Sequence, residues 1–201
     1  MTDQTTHRIQ FYILTVYPDI FSSFLSQGLI AKAIEEELIG VELIDFRKYG
    51  IGKHRKVDAP PYGGGAGMVL RPEPIIDALE DLDSKCQGKP CYRVLVSPQG
   101  DRFHQKRAMA LSRESDPIAL ICGRFEGFDE RIRQYVDEEI SLGDFILMGG
   151  EIAAMAIVES VGRLVPGVIG NRDSLTHESF SQGMLEYAQY TKPVVFRGDA
   201  V

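Results

Sequence analysis

Strand-like and helix-like segments alternate along this chain, and that alternation restricts its fold more than any other feature. Residues 8–16 (RIQFYILTV) are rich in β-branched and aromatic side chains and stop before Pro18, which indicates a buried strand. Similar apolar runs predict strands at 41–46, 92–96, 117–122 and 140–147. Apolar residues at helical spacing predict helices at 19–38, 72–82, 104–112, 128–136 and 151–165. The pattern predicts an α/β fold with a mostly parallel sheet and helices on both faces.

Glycines mark the loops that follow the predicted strands. In a parallel α/β sheet, ligands bind beyond the carboxyl ends of the strands, so these loops are the first place to look for a site. The segments 97–100 (SPQG), 122–127 (CGRFEG) and 141–151 (SLGDFILMGGE) each follow or bracket a strand. Backbone groups in such loops can approach a flat ligand closely. The three loops therefore predict one shared pocket.

A fourth glycine cluster, residues 62–68 (YGGGAGM), lies next to a dense basic patch. It is not a Walker A loop, because no Gly-Lys-Ser/Thr follows. Five Lys or Arg and His54 fall within 47–56, although the chain carries a net charge of -7. That charge excludes a uniformly basic nucleic-acid coat but allows a local site for a polyanion such as RNA. The alternative is a solvated loop whose lysines face water.

No segment of the sequence suggests a membrane or secretory location. Apolar runs are shorter than the ~20 residues that a membrane helix needs, and the first ten residues are polar. Cys86, Cys91 and Cys122 lack zinc-ligand spacing. We expect a reduced, soluble, cytoplasmic protein with no membrane partner.

Five segments in fixed order together resemble the bacterial tRNA (guanine-N1)-methyltransferases of the SPOUT superfamily. They are 55–68 (RKVDAPPYGGGAGM), 97–100, 122–131 (CGRFEGFDER), 141–151 and 160–170 (SVGRLVPGVIG). The resemblance implies an α/β SPOUT methyltransferase fold with a C-terminal trefoil knot that binds S-adenosylmethionine. It also implies an obligate homodimer whose active site lies between subunits. The expected reaction is methylation of N1 of guanosine 37, just 3′ of the tRNA anticodon.

The resemblance also assigns ligand-binding residues by position. Backbone groups around the cofactor would belong to Val96, Ser97, Pro98, Gly123, Leu142, Gly143, Phe145, Ile146, Leu147, Gly149 and Gly150. Residues expected to contact RNA are Arg55, Tyr62, Gly63, Gly64, Gly65 and Arg124. Tyr62 can stack on a base, although an exposed tyrosine is also common at the start of a loop. Arg124 can contact a phosphate or instead form a salt bridge with a nearby acid.

The chemistry calls for a carboxylate and a guanidinium. N1 of guanine must lose its proton as it attacks the methyl group, and charge then develops on O6. Arg163 matches the family's functional arginine and is assigned to O6; the alternative is an arginine that covers a helix end. Glu178 occupies the base position, where the family usually has aspartate, and Asp173 is less favoured. Glu126 matches a carboxylate near the target base, and with Glu178 it is a candidate to help hold Mg²⁺.

The predicted domains are a SPOUT methyltransferase domain at 1–170, a flexible linker at 171–182, and the start of a tRNA-binding helical domain at 183–201. Because the last is short here, we expect cofactor binding to survive while tRNA affinity and turnover fall. Two rival functions remain at this point. One is a nucleotide- or phosphate-binding α/β enzyme that uses the loop at 62–68, and the other is a non-catalytic RNA-binding module.

Overall fold

A computed structural model of the protein describes residues 8–86, 91–170, 178–180 and 184–201. Internal contacts divide the chain into two units, residues 1–170 and residues 171–201, and each is described by itself. The first unit contains the central sheet and the helices around it. In the second unit, β8 (Val195–Phe196) and β9 (Asp199–Ala200) form a short antiparallel pair.

Five parallel strands form the central sheet of the first unit, in the order β2-β1-β6-β5-β7. Their bounds are β1 Ile9–Thr15, β2 Ile39–Asp45, β5 Tyr92–Arg102, β6 Ile118–Cys122 and β7 Glu138–Ser141. A small antiparallel pair, β3 (Asp58–Ala59) and β4 (Val69–Leu70), lies outside this sheet. The predicted fold class, α/β with a mostly parallel sheet, is confirmed.

The helices are α1 Ser22–Leu25, α2 Gly28–Glu35, α3 Pro72–Lys85, α4 Gln105–Leu111 and α5 Glu151–Gly162. Single turns of 3-10 helix occur at Pro18–Phe21 and Phe46–Tyr49, and a longer one at Glu130–Tyr135. The prediction of one helix over 19–38 is wrong. The helix is broken between α1 and α2, because Gly28, the first residue of α2, lies in the left-handed region (φ 67°). The helix predicted at 128–136 is a 3-10 helix at Glu130–Tyr135. In the described part of the chain, no helix is long and apolar enough to cross a membrane.

Side chains that alternate along the strands build a separate apolar cluster on each face of the sheet. On β6, Ile118 and Leu120 belong to the cluster that also contains residues of α2, α4 and α5. Ala119 and Ile121 belong to the opposite cluster, which contains residues of α3. β6 is fully buried on both faces, as expected for a central parallel strand. The prediction of helices on both faces is confirmed.

Helix α5 crosses one face of the sheet from the carboxyl ends of the strands to their amino ends. At its start, a Cβ added to Gly150 would lie 2.9 Å from the Cα of Cys122, the last residue of β6. At its end, a Cβ added to Gly162 would lie 3.6 Å from Cδ1 of Ile39, the first residue of β2. We call these two sides of the sheet the carboxyl edge and the amino edge.

Candidate active site

A cavity of about 420 Å³ lies at the carboxyl edge, where β5, β6 and β7 end. It forms because β5 leaves the sheet and returns. Val96 and Asp101 both pair with Ile140 of β7, so residues 97–100 bulge out between them. Gly100 permits this bulge, because a Cβ there would lie 2.4 Å from the backbone carbon of Glu139. The SPQG segment thus opens one wall of the cavity.

All eleven residues that the sequence assigned to the cofactor line this one cavity. They are Val96, Ser97, Pro98, Gly123, Leu142, Gly143, Phe145, Ile146, Leu147, Gly149 and Gly150. Glu126 and Arg124 also line it. The prediction that three glycine-containing loops meet at one pocket is therefore confirmed in geometry, while the assignment of the ligand stays a prediction.

An apolar wall of the cavity comes from the segment after β7. The sequence predicted an extended chain to residue 147, but the strand ends at Ser141. The chain turns because Gly143 N donates to Ser141 Oγ at 3.2 Å and Phe145 N donates to Gly143 O at 2.9 Å. Beyond the turn, Ile146 and Met148 are 81% and 91% exposed. Exposed apolar side chains on the wall of a cavity suit a flat, partly apolar ligand.

Arg124, which lines the cavity, forms a largely buried ion pair with Glu151. Arg124 follows β6 and Glu151 begins α5, and the two side chains are 17% and 2% exposed. Arg124 Nε donates to Glu151 Oε1 at 3.0 Å, and Nη2 lies 2.9 Å from Oε2. Arg124 Nη1 also donates to the carbonyl oxygen of Met148 at 3.2 Å. This arrangement ties the loop after β6 to the start of α5.

The ion pair extends to the end of β1. Thr15 Oγ1 donates to Glu151 Oε1 at 2.8 Å and accepts from Tyr17 N at 3.0 Å. The guanidinium of Arg124 lies 4.6 Å from the centre of the Tyr17 ring, and that of Arg47 lies 4.7 Å from it. Sequence reasoning did not single out Thr15, Tyr17 or Glu151. The only local signal was an acidic residue at the first position of a helix, which is ordinary.

Cys122 lies beside this network as a neutral thiol. Burial raises the pKa of Cys122 well above its usual value, and the nearby Glu151 carboxylate raises it further, against an opposing effect of Arg124. A thiol that is fully buried and protonated is a weak nucleophile. Cys122 therefore serves as packing in this site.

Glu126 joins the cavity to the glycine-rich loop. Its backbone N donates to Met68 O at 2.9 Å. A Cβ on Gly67 would lie 2.4 Å from Cγ of Glu126, and Gly67 is in the left-handed region at φ 77°. Phe125 precedes Glu126 with φ 59°, an unfavourable backbone conformation for a bulky residue. The strained turn at Phe125 therefore places Glu126 beside both the cavity and the glycine-rich loop.

The residues predicted to contact RNA fall into two groups. Tyr62 is fully exposed, and Gly63 and Gly64 have no atoms within 4 Å of an added Cβ. Arg55 is exposed in the basic loop, and Gly65 is exposed beside Pro61. Arg124 instead forms the salt bridge that the sequence had left as an alternative. RNA binding by any of these residues stays a prediction.

Two of the three predicted catalytic residues, Glu126 and Arg163, belong to the first unit and lie at opposite ends of its sheet. Glu126 lines the cavity. Arg163 follows the last residue of α5 and lies at the amino edge, about 18 Å along the helix from Glu151. Glu178 belongs to the second unit, where it is partly exposed, and Asp173 lies outside the described residues.

No metal site supports the Mg²⁺ expectation. Within residues 8–86, 91–170, 178–180 and 184–201, no three His, Cys, Asp or Glu side chains are grouped to hold an ion. Magnesium ions usually need carboxylates together with substrate oxygens.

Comparisons with known proteins agree on one family. The model of the family described as tRNA (Guanine-1)-methyltransferase TrmD matches residues 9–201. A tRNA (guanine-N(1)-)-methyltransferase from Geobacillus kaustophilus is 53% identical over 188 residues, covering 92% of this chain and 75% of that protein. One from Bacillus cereus is 50% identical over 187 residues, covering 92% of this chain and 76% of that protein. The crystal structure of tRNA (m1G37) methyltransferase from Aquifex aeolicus superposes with a TM-score of 0.80 at 39% identity, covering 97% of this chain and 81% of that one.

Proposed function

Because the chain belongs to the tRNA (guanine-N1)-methyltransferase family, we propose that it methylates N1 of guanosine 37 in tRNA with S-adenosylmethionine as donor. The observation that carries this proposal is the single cavity at the carboxyl edge that collects all eleven candidate cofactor residues. The enzyme class follows from the family. The position of the methylated base, the donor and the residue roles are the proposed part.

The cavity suits S-adenosylmethionine in size and chemistry. Its volume of about 420 Å³ falls within the range of sites for drug-sized ligands. Backbone groups of the bulge at 97–100 and of Gly149 would hold the polar parts, and the wall around Ile146 would cover the adenine. The bound cofactor would supply a methyl group on a sulfonium, which needs no activation by the protein.

The chain's own residues would supply acid–base chemistry and charge. Glu178 is the proposed base that takes the proton from N1, with one methylene more than the usual aspartate. Arg163 is proposed to donate to O6 as negative charge develops there. Glu126, at the junction of the cavity and the glycine-rich loop, is proposed to contact the target base.

The position of Arg163 supports an active site shared between two copies of the chain. Within one chain, Arg163 lies about 15 Å along α5 from Ala153, the last residue of that helix to line the cavity, which is more than an arginine side chain can span. If Arg163 acts on O6, it must reach the cavity of a second copy. A homodimer with two such composite sites meets this requirement.

Methyl transfer to tRNA transcripts tests the reaction itself. We expect incorporation of labelled methyl groups into a transcript with guanosine at position 37 and none into one with adenosine there. Mapping should place the methyl on N1. A chain that binds tRNA with strong salt dependence but leaves no methyl would instead be an RNA-binding module, and the proposal would be wrong.

Mixing two inactive variants tests the shared site. Arg163→Ala removes the guanidinium. Ile146→Lys replaces a side chain that is 81% exposed with a cation, which should repel the positively charged methyl donor. Arg163→Ala alone should lose at least about a hundredfold in rate, the usual cost of one transition-state donor. Ile146→Lys alone should lose activity because the cofactor binds more weakly. The mixture should regain up to about a quarter of wild-type activity, because about half of the dimers are mixed and each mixed dimer has one intact site of two. Absence of any recovery in verified mixed dimers would refute the shared site.

The base assignment is tested at Glu178. Glu178→Gln keeps the shape and removes the proton acceptor, so we expect a loss of about 10²–10⁴-fold in kcat with little change in cofactor affinity. Glu178→Asp restores the shorter family side chain and should retain activity. Full activity of Glu178→Gln would rule out this residue as the base.

A further inference from the structure

Two cysteines outside the active site lie in direct contact. Cys86 is the C-cap residue that follows α3, where its backbone N donates to Leu82 O at 2.9 Å, and Cys91 immediately precedes β5. Their sulfur atoms are 3.7 Å apart. Both residues pack with Tyr12 in the apolar cluster on the α3 face of the sheet. The pair lies at the amino edge, because β5 begins there and reaches the cavity only at Leu95.

This separation is close to that of a disulfide. A bonded pair of sulfurs lies about 2.05 Å apart, so each sulfur would need to move by only about 0.8 Å. The backbone of Cys86 is held by α3, and Cys91 leads directly into a buried strand. The two thiols are therefore brought together by the fold.

The two thiols differ in reactivity. Cys91 is 2% exposed, and burial, with Cys86 beside it, raises its pKa to about 12. Asp83 raises that pKa further and Arg93 opposes the change. Cys86 is partly exposed and has the Tyr12 hydroxyl within hydrogen-bonding reach. Since thiolates are the reactive form, Cys86 is the sulfur that reacts first.

Cys91, although buried, adjoins a surface cavity. Cys91 lines a cavity of about 340 Å³ together with Arg93, Asp116 and Asp137. Cys122 has no such access, because it is fully buried in the cluster on the other face of the sheet. The third cysteine is therefore a natural internal control.

We propose that Cys86 and Cys91 form an oxidisable dithiol that closes to an intramolecular disulfide with a peroxide as the oxidant. The Cys86 thiolate attacks one peroxide oxygen, breaks the O–O bond and becomes a sulfenic acid as hydroxide leaves. The Cys91 sulfur then displaces the hydroxyl group as water and forms the S–S bond. The two thiol protons and the peroxide end as two water molecules, and the peroxide is reduced.

Tryptic mapping of the full chain gives a direct test. Lys89 precedes Pro90, so one tryptic peptide, residues 86–93 (CQGKPCYR), contains both cysteines. After hydrogen peroxide treatment of the folded protein, this peptide should lose 2 Da and resist alkylation, and dithiothreitol should reverse both changes. Cys86→Ser and Cys91→Ser should each abolish the loss. Cys122→Ser should leave it intact.

The rate of disulfide formation in the folded and unfolded chain shows whether the fold itself brings the two thiols together. The disulfide should form at least about tenfold faster in the folded protein than in the same chain in guanidinium, because the fold holds the sulfurs together. Equal rates would overturn the proposal. So would a gain of 32 Da on Cys86 without a disulfide, or disulfides between chains as the main product.

Discussion

The two ends of helix α5 contact the sheet through different interactions. At the carboxyl edge, Glu151 is a buried carboxylate bonded to Arg124 and Thr15, and Gly150 touches the backbone of β6. At the amino edge, Gly162 meets only the methyl groups of Ile30 and Ile39, at ordinary contact distances. Charge and close backbone contact therefore shape the cavity, while apolar packing anchors the far end. Substitutions at the two ends should then differ in sign as well as in size.

The largest effect is expected at Glu151. Glu151→Ala leaves the Arg124 guanidinium largely buried without its partner, and breaking such a pair costs about 3–5 kcal/mol of unfolding free energy. Urea unfolding monitored by circular dichroism measures this loss. Thr15→Val removes one hydrogen bond from the same carboxylate and the acceptor of Tyr17 N, and it should cost less, about 1–2 kcal/mol. If the two substitutions cost the same, the ion pair does not anchor this end of the helix.

Glu151→Gln distinguishes charge from shape at the same position. Its side-chain oxygen can still accept from Thr15 and Arg124, so we expect a smaller loss of about 1–3 kcal/mol. Binding of S-adenosylmethionine, measured by calorimetry, should weaken more in Glu151→Ala than in Glu151→Gln, because Arg124 also holds the carbonyl of Met148 in the cavity wall. The reverse order would contradict the role given to Arg124.

An intermediate effect is expected at Gly150. Gly150→Ala places a Cβ 2.9 Å from backbone atoms of both Cys122 and Gly123, which cannot move as a flexible side chain would. Overpacking of this kind costs about 1–3 kcal/mol. Because Gly150 and Gly123 line the cavity, cofactor affinity, measured by calorimetry, should fall together with stability. If the variant were destabilised but bound the cofactor with unchanged affinity, the contact between Gly150 and β6 would not shape the cavity.

These contrasts also show what the sequence could and could not predict. Apolar runs predicted β1 and β6, because a buried parallel strand needs little more than local composition. They did not reveal the break in the helix before Gly28, since apolar residues continue at helical spacing on both sides of it. Thr15 and Glu151 are 136 residues apart, so no local pattern could pair them. The eleven cofactor candidates came from resemblance to a family, and spacing alone gave only the expectation that glycine loops would meet.

The smallest effect, and the one with opposite sign, is expected at Gly162. Gly162→Ala adds a Cβ 3.5 Å from Ile30 and 3.6 Å from Ile39, which is normal van der Waals contact. Alanine also has less conformational freedom to lose in a helix than glycine, so unfolding free energy should rise by about 0.5–1 kcal/mol. Cofactor affinity should stay at the wild-type value, because this end of α5 is remote from the cavity. If Gly162→Ala destabilised the protein as Gly150→Ala does, the amino edge would be as tightly constrained as the carboxyl edge, and the contrast between the two ends would not hold.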